Sequence, residues 1–172
     1  MAVVEREEDH RAWLAPEFRS LRVRYLERLP LGTPYARVVL RMGELLRDPQ
    51  MAGVSRLTVD ATGVGAPVVE MLRGARLGVT VTAVTITGGA AAHGVGENWS
   101  VPKRDLMAGL VVLLEQGQLK IPRGLRESAS LMRELSNWGT VEHDDLVVAL
   151  ALACWRTKRA VPVFGTQRLP GI

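Results

Sequence analysis

The chain is poor in the residues that carry covalent and soft-metal chemistry. It has one cysteine, Cys154, and three histidines among 172 residues. No intramolecular disulfide can form, and no Cys or His pair stands at zinc-ligand spacing. No serine occupies a glycine-flanked strand-to-helix elbow, and Gly63-Val64-Gly65 is not followed by Lys-Ser or Lys-Thr. A nucleophile-elbow hydrolase and a phosphate-cradling P-loop are therefore excluded. The longest unbroken apolar run, Leu146 to Trp155, is ten residues, half of what a bilayer span needs. The first residues, Met1-Ala-Val-Val-Glu-Arg-Glu-Glu-Asp, carry acids where a secretory leader carries a basic segment and a long apolar core. A reducing, cytoplasmic setting with no membrane partner is the expectation, and Cys154 reads as a small core residue.

What is present describes one globular domain. Apolar residues make up 47% and charged residues 23%, which is ordinary for a packed core and excludes wholesale disorder. The excess of Lys and Arg over acids gives a net charge of +4, enough to permit a polyanionic partner without demanding one. The domain is expected over 1–158, with a flexible Pro- and Gly-containing tail over 159–172.

Residues 2–6 read as a short strand, and 21–29 alternate, with Leu21, Val23 and Tyr25 on one face and Arg22, Arg24 and Arg28 on the other. The two predict a hairpin. Thr33-Pro34 predicts a helix start, with Thr33 as cap and Pro34 first in the helix, followed by Val39, Met42 and Leu46 at helical spacing. A strand over Ser55 to Asp60 leads through Ala61-Thr-Gly-Val-Gly65 to a helix over Pro67 to Leu77. Val79 to Ile86 is a further strand. Thr87 to Ser100, with two glycine clusters and no periodicity, predicts a mobile loop. Helices from Pro102, over Leu125 to Leu135 and over Asp144 to Lys158, with a short strand at Leu119 to Ile121, complete an α/β domain with a mixed sheet flanked by helices.

Three places could carry chemistry. Asp60 ends its strand, and ligands of open α/β sheets gather beyond the carboxyl ends of strands. Asp144 and Asp145 open the last helix. Carboxylates from a strand end and a helix start are a way to hold Mg²⁺ or Mn²⁺ through oxygen ligands. Each has a plainer reading: Asp60 as the initiator of an Asx turn, Asp144 and Asp145 as caps of helix N–H groups. Lys103 and Arg104 begin a helix, where cations oppose the helix dipole. A phosphate backbone is a natural partner for them, and solvated surface is the alternative. His143 stands beside the two acids as a ligand, a proton shuttle or a mere neighbour. His10 and His93 have no visible partner.

The order of four segments resembles a family. Val59-Asp60-Ala-Thr-Gly-Val-Gly, Thr85-Ile-Thr-Gly-Gly, Trp99-Ser-Val-Pro-Lys-Arg-Asp-Leu and His143-Asp-Asp-Leu before an alanine- and leucine-rich helix are similar to the C-terminal nuclease domain of tailed-phage terminase large subunits. The resemblance spans about residues 20–158. It implies a ribonuclease H-like fold and a Mg²⁺- or Mn²⁺-dependent endonuclease cutting duplex viral DNA during packaging. Asp60 and Asp144 or Asp145 would be metal ligands, Lys103 and Arg104 DNA contacts, and the phage portal or small terminase subunit further partners.

The chain departs from that pattern in three ways. The acid-bearing opening strand expected before Ala2 is absent, the stretch between Trp138 and His143 is short, and there is no ATP-binding P-loop. The departures leave two expectations: a nuclease domain, inactive without the first acid unless Glu5 or Asp9 replaces it, or a catalytically dead DNA-binding or capsid-docking module on the same scaffold.

Overall fold

The computed structural model describes residues 1–9, 17–138 and 144–158; His10, His143 and the expected tail lie outside them. Two strands come first, β1 (Ala2–Asp9) and β2 (Glu17–Leu26), then α1 (Tyr35–Leu46), β3 (Arg56–Asp60), α2 (Gly65–Gly74) and β4 (Thr80–Thr87). They are followed by β5 (His93–Val95), β6 (Asn98–Pro102), α3 (Lys103–Glu115), β7 (Leu119–Lys120), α4 (Ser128–Ser136) and α5 (Asp145–Lys158). No described helix is long and apolar enough to cross a membrane.

The strands form two hydrogen-bonded sheets rather than the single sheet expected. One has the order β1-β2-β7, with β1 antiparallel to β2 as the alternating sequence predicts and β7 parallel to β2. The other has the order β3-β4-β6-β5, parallel except for β5.

Alternation along β4 divides the core. Val81 and Ala83 pack with Val69, Leu72, Leu57 and Val59 under α1 and α2. Val84 turns the other way, into the larger cluster with Leu106 and Leu110 of α3, Leu131 of α4 and Leu146, Val147 and Leu150 of α5. Helices therefore cover both faces of the parallel sheet. Among the described residues the β1-β2 pair is covered on one face only: Leu21 and Val23 are fully buried, while Arg22, Arg24, Glu5 and Glu7 make ion pairs on the other face.

Five interactions orient α5. Lys103, just after β6, donates from Nζ to Asp144 Oδ2 at 2.7 Å at the start of the helix. Near its end, Arg156 Nη2 lies 3.3 Å from Glu97 Oε2, just before β6, and Trp155 meets Trp99 edge-on. So α5 runs antiparallel to β6, and hence to β3 and β4. Arg6 Nη1 reaches Thr157 O at 3.5 Å, while the Met1 amino group lies in the field of Asp145. So β1 runs alongside α5 and opposite to β3. Both β1 and β3 are edge strands, unpaired to each other, and α5 packs on both.

The expected mobile loop is a hairpin. β5 and β6 pair across the Gly96 turn, where φ of 57° suits a residue without a Cβ, and β6 inserts between β4 and β5. Its signal is short: only Trp99 and Val101 mark the inward face. The α1 start also differs: Pro34 occupies the cap position with no side-chain cap, Tyr35 begins the helix, and the Thr33 hydroxyl donates to Pro30 O. α2 ends at Gly74, three residues before the expected end, and Arg76 takes a left-handed conformation with φ of 47°.

Candidate carboxylate site at the end of the sheet

Leu57 and Val59 face α1 and α2, so the pleat of β3 turns Asp60 to the α5 face, in register with Val84. Asp60 ends β3 at the edge of the sheet where β6 passes into α3 and α5 begins. Its Oδ1 accepts the Thr62 N–H at 2.8 Å, so the Asx-turn reading is correct for one oxygen. The Thr62 hydroxyl accepts the Ile86 N–H at 2.8 Å, tying this turn to β4. The small residues after Asp60 have a local reason as well. A Cβ on Gly65 would collide with the Asp60 carbonyl oxygen, so the chain turns back against its own backbone here.

The start of α5 decides between the two readings of Asp144 and Asp145. Helix N-termini leave N–H groups without intrahelical partners, and a first-turn acid usually takes them. Here Glu134 of α4 does so: its Oε2 accepts the N–H of Leu146 at 2.9 Å and of Val147 at 3.1 Å. The Glu134 side chain is 7% exposed, and its other oxygen pairs with Arg28 Nη2. Such a buried carboxylate is tolerable because two helix N–H groups and a guanidinium satisfy it. Asp144 and Asp145 are thereby released from capping. Asp144, 25% exposed, binds Lys103, and Asp145, 64% exposed, lies 3.4 Å from Arg28 Nη1.

The structure thus joins Lys103 to Asp144 and places Asp60 at the same sheet end without a bond to either. Arg104 does not act as a free cation: its Nη2 donates to Ala90 O at 2.5 Å and its Nε lies 3.5 Å from Asp105. His93 is exposed on β5, away from the acids in sequence and bonded only to Ala91 O among the described residues, at 3.4 Å. Cys154 is buried in α5, as expected of a core residue. Glu5 cannot stand in as a third acid. It pairs with Arg24 on the face of β1 opposite to Ala2 and Val4, which pack toward α5.

Glu134 and Arg28 are the residues sequence reasoning passed over. Glu134 lies three residues after the buried Leu131, on the apolar stripe of an amphipathic helix, and a charge on that stripe was the available signal.

Among the described residues no three His, Cys, Asp or Glu side chains come together as a metal-holding group. Oxygen donors at Asp60 and Asp144 have the chemistry for a single hard cation completed by water, since Mg²⁺ is commonly held by one or two carboxylates. They do not supply the larger anionic set that a pair of divalent ions about 4 Å apart requires.

Compared with family models, curated proteins and solved structures, the chain matches none.

Proposed function

We propose that this chain is a ribonuclease H-like domain of the terminase nuclease type, acting on duplex DNA, whose metal set is incomplete as the chain stands. The observation that carries the reading is the release of Asp144 and Asp145 from capping by Glu134, at the sheet end where Asp60 also lies. A helix that needed acids only as caps would not also hold a buried carboxylate from another helix for the same N–H groups.

The edges of β1 and β3 support it further. Both are unpaired to each other under one helix, and a strand laid between them would run beside Asp60. An acid on that strand would add the third carboxylate. With it, Asp60 and Asp144 or Asp145 would hold Mg²⁺ or Mn²⁺, which would activate water and neutralise the developing charge on a phosphodiester. Lys103, displaced from Asp144 by the incoming cation, would remain beside the bound phosphate. The second reading, a DNA-binding or portal-docking module without catalysis, is favoured by the absence of a three-ligand group among the described residues.

One experiment separates the two. The chain of 172 residues should nick supercoiled plasmid feebly or not at all with Mg²⁺ or Mn²⁺. The same chain with an aspartate-bearing strand joined before Met1 should cut, and Asp60→Asn in that fusion should abolish cutting. A folded fusion that binds DNA and does not cut overturns the nuclease reading and leaves the binding module.

A further inference from the structure

Two strand edges of the molecule face each other without pairing. Among the described residues β1 is bonded on one side only, to β2, and β3 on one side only, to β4, while α5 packs on both. Paired strands lie about 4.8 Å apart and a helix is about 10 Å across, so the slot that α5 spans is on the order of one strand wide. α1 reaches across the same slot on the opposite face. Its Val39 and Met42 pack with Leu57 and Val59 of β3, while Arg41 donates to Glu27 Oε2 at 3.1 Å and to the Tyr25 hydroxyl at 2.8 Å at the end of β2.

The main chain is placed to take a strand there. The Ala61 N–H donates to Val84 O at 2.8 Å. Main-chain groups turn alternately to the two sides of a strand, so Val59 and Leu57 serve β4, while Arg56, Thr58 and Asp60 turn theirs to the slot. On the other wall the Glu27 N–H donates to Met1 O at 3.0 Å. By the same alternation Ala2, Val4 and Arg6 turn their donors and acceptors to the slot.

Exposure and charge mark the same opening. Leu57, Thr58 and Val59 lie between helices on both faces, and Ala2 and Val4 pack toward α5, yet all five are only half-buried. The pleat that turns Asp60 to the α5 face turns Thr58 and Arg56 there too. At one end of the slot Arg56 is exposed and, among the described residues, forms no ion pair. At the other end stand Asp60 and the first acids of α5. A strand laid in the slot therefore meets a cation first, Val4 and Thr58 midway, and acids last.

We propose that the slot binds an extended segment of a separate polypeptide as an added strand, matched to the five residues of β3 and running antiparallel to β1 and parallel to β3. The antiparallel ladder, the stronger per residue, then falls on the longer edge, since β1 has eight residues. Main-chain bonds to both walls supply the affinity, and alternate side chains supply the specificity. The occupant opens with an acid for Arg56. Three β-branched residues follow, the outer two toward α1 and the middle one beside Val4 and Thr58. It closes with an acid beside Asp60. Only this last position rests on the nuclease reading, because a further carboxylate there needs a cation to hold it.

The test is fluorescence anisotropy of a labelled peptide, Asp-Val-Val-Val-Asp between Gly-Ser flanks, titrated with the full chain in EDTA and in millimolar Mn²⁺. The same peptide ending in Asn is titrated beside it. Both should bind saturably, the Asn form equally in the two buffers and the Asp form more tightly in Mn²⁺, since coupling between two ligands is reciprocal. Thr58→Pro deletes an N–H that faces the slot and spares the β3-β4 ladder, so it should weaken both peptides about tenfold. Arg56→Glu should weaken both as well, and Lys in place of the first Asp of the peptide should restore binding to that variant. Thermal melts verify that both variants fold. Absence of binding by both peptides, or binding that Arg56→Glu and Thr58→Pro leave unchanged, overturns the proposal. Binding that both variants weaken but Mn²⁺ does not tighten keeps the slot and overturns the closing acid, together with the metal site on which it rests. A parent dimer in sedimentation that the peptides do not dissociate assigns the slot to a second copy of the chain and overturns the separate partner.

Discussion

α3 and α5 begin side by side at the Asp60 end of the sheet, and they begin differently. α3 starts with Pro102 in the cap position, no side-chain cap and two cations, Lys103 and Arg104, against the helix dipole. α5 starts with acids, where the dipole favours them, yet its N–H groups are taken by Glu134 from α4. The two starts are joined by the Lys103 to Asp144 ion pair. The difference teaches that the charges at this end are not arranged for the stability of the helices that carry them. One helix tolerates the wrong sign, and the other has more acid than its caps require.

Breaking the Glu134 cap should have the largest effect. Glu134→Ala leaves two helix N–H groups and Arg28 without their partner, a loss of about 3 kcal/mol. In a chain of this size that corresponds to a melting temperature lower by roughly 10 °C, read by circular dichroism. Glu134→Gln keeps an acceptor for the N–H groups and should lose about half as much. Among the described residues no side chain does the corresponding work at α3, so Asp105→Asn should stay within about 0.5 kcal/mol of the parent. If Asp105→Asn costs as much as Glu134→Ala, the contrast between the two helix starts fails.

The next effect lies away from both helix starts and serves as a reference for them. Hydrogen bonds from Lys120, Ser20 and Arg22 hold Glu7 down at about 2, against an ordinary 4.5. A carboxylate depressed in this way contributes stability that is complete above the unfolded value and is lost as pH falls from about 4.5 through about 2. Lys120→Met should weaken that acid sensitivity in urea denaturation between those pH values. An unchanged pH profile in Lys120→Met would show that the Glu7 cluster contributes nothing measurable.

The smallest effect is the sharpest test of the released acids. If Asp144 and Asp145 capped α5, replacing both would cost about 1 kcal/mol each. Because Glu134 does the capping, Asp144→Ala with Asp145→Ala should remove only exposed ion pairs, about 0.5 kcal/mol in total. A loss of 2 kcal/mol or more, on the order of two lost caps, would restore the plain capping reading.

Much of the fold was legible where one period dominates. Leu21 and Val23 alternate with arginines, and the β1-β2 hairpin follows; Leu106, Leu110 and Leu113 recur at helical spacing, and α3 follows. The β5-β6 hairpin was not legible, because β6 offers only two inward apolar residues after a glycine-rich stretch. Nor was the division into two sheets, since strand pairing is set by contacts far apart in sequence. At the candidate site, Asp60, Asp144 and Asp145 could be named from strand and helix boundaries. What Asp144 and Asp145 do depends on Glu134, twelve and thirteen residues before the N–H groups that it caps. No pattern local to His143-Asp-Asp-Leu carries that information. Lys103 was read as a free cation for DNA, and only the antiparallel run of α5 against β6 brings Asp144 to it.

The central claim is that Asp60 and the first acids of α5 form one cation site, and thermal melts with and without millimolar Mn²⁺ test it most directly. A ligand that binds only the folded state raises the melting temperature by mass action. The parent chain should melt higher in Mn²⁺, and Asp60→Ala and Asp144→Asn should each remove that increment while folding normally without metal. An increment of equal size in the parent and in Asp60→Ala, or none in the parent, would contradict the account.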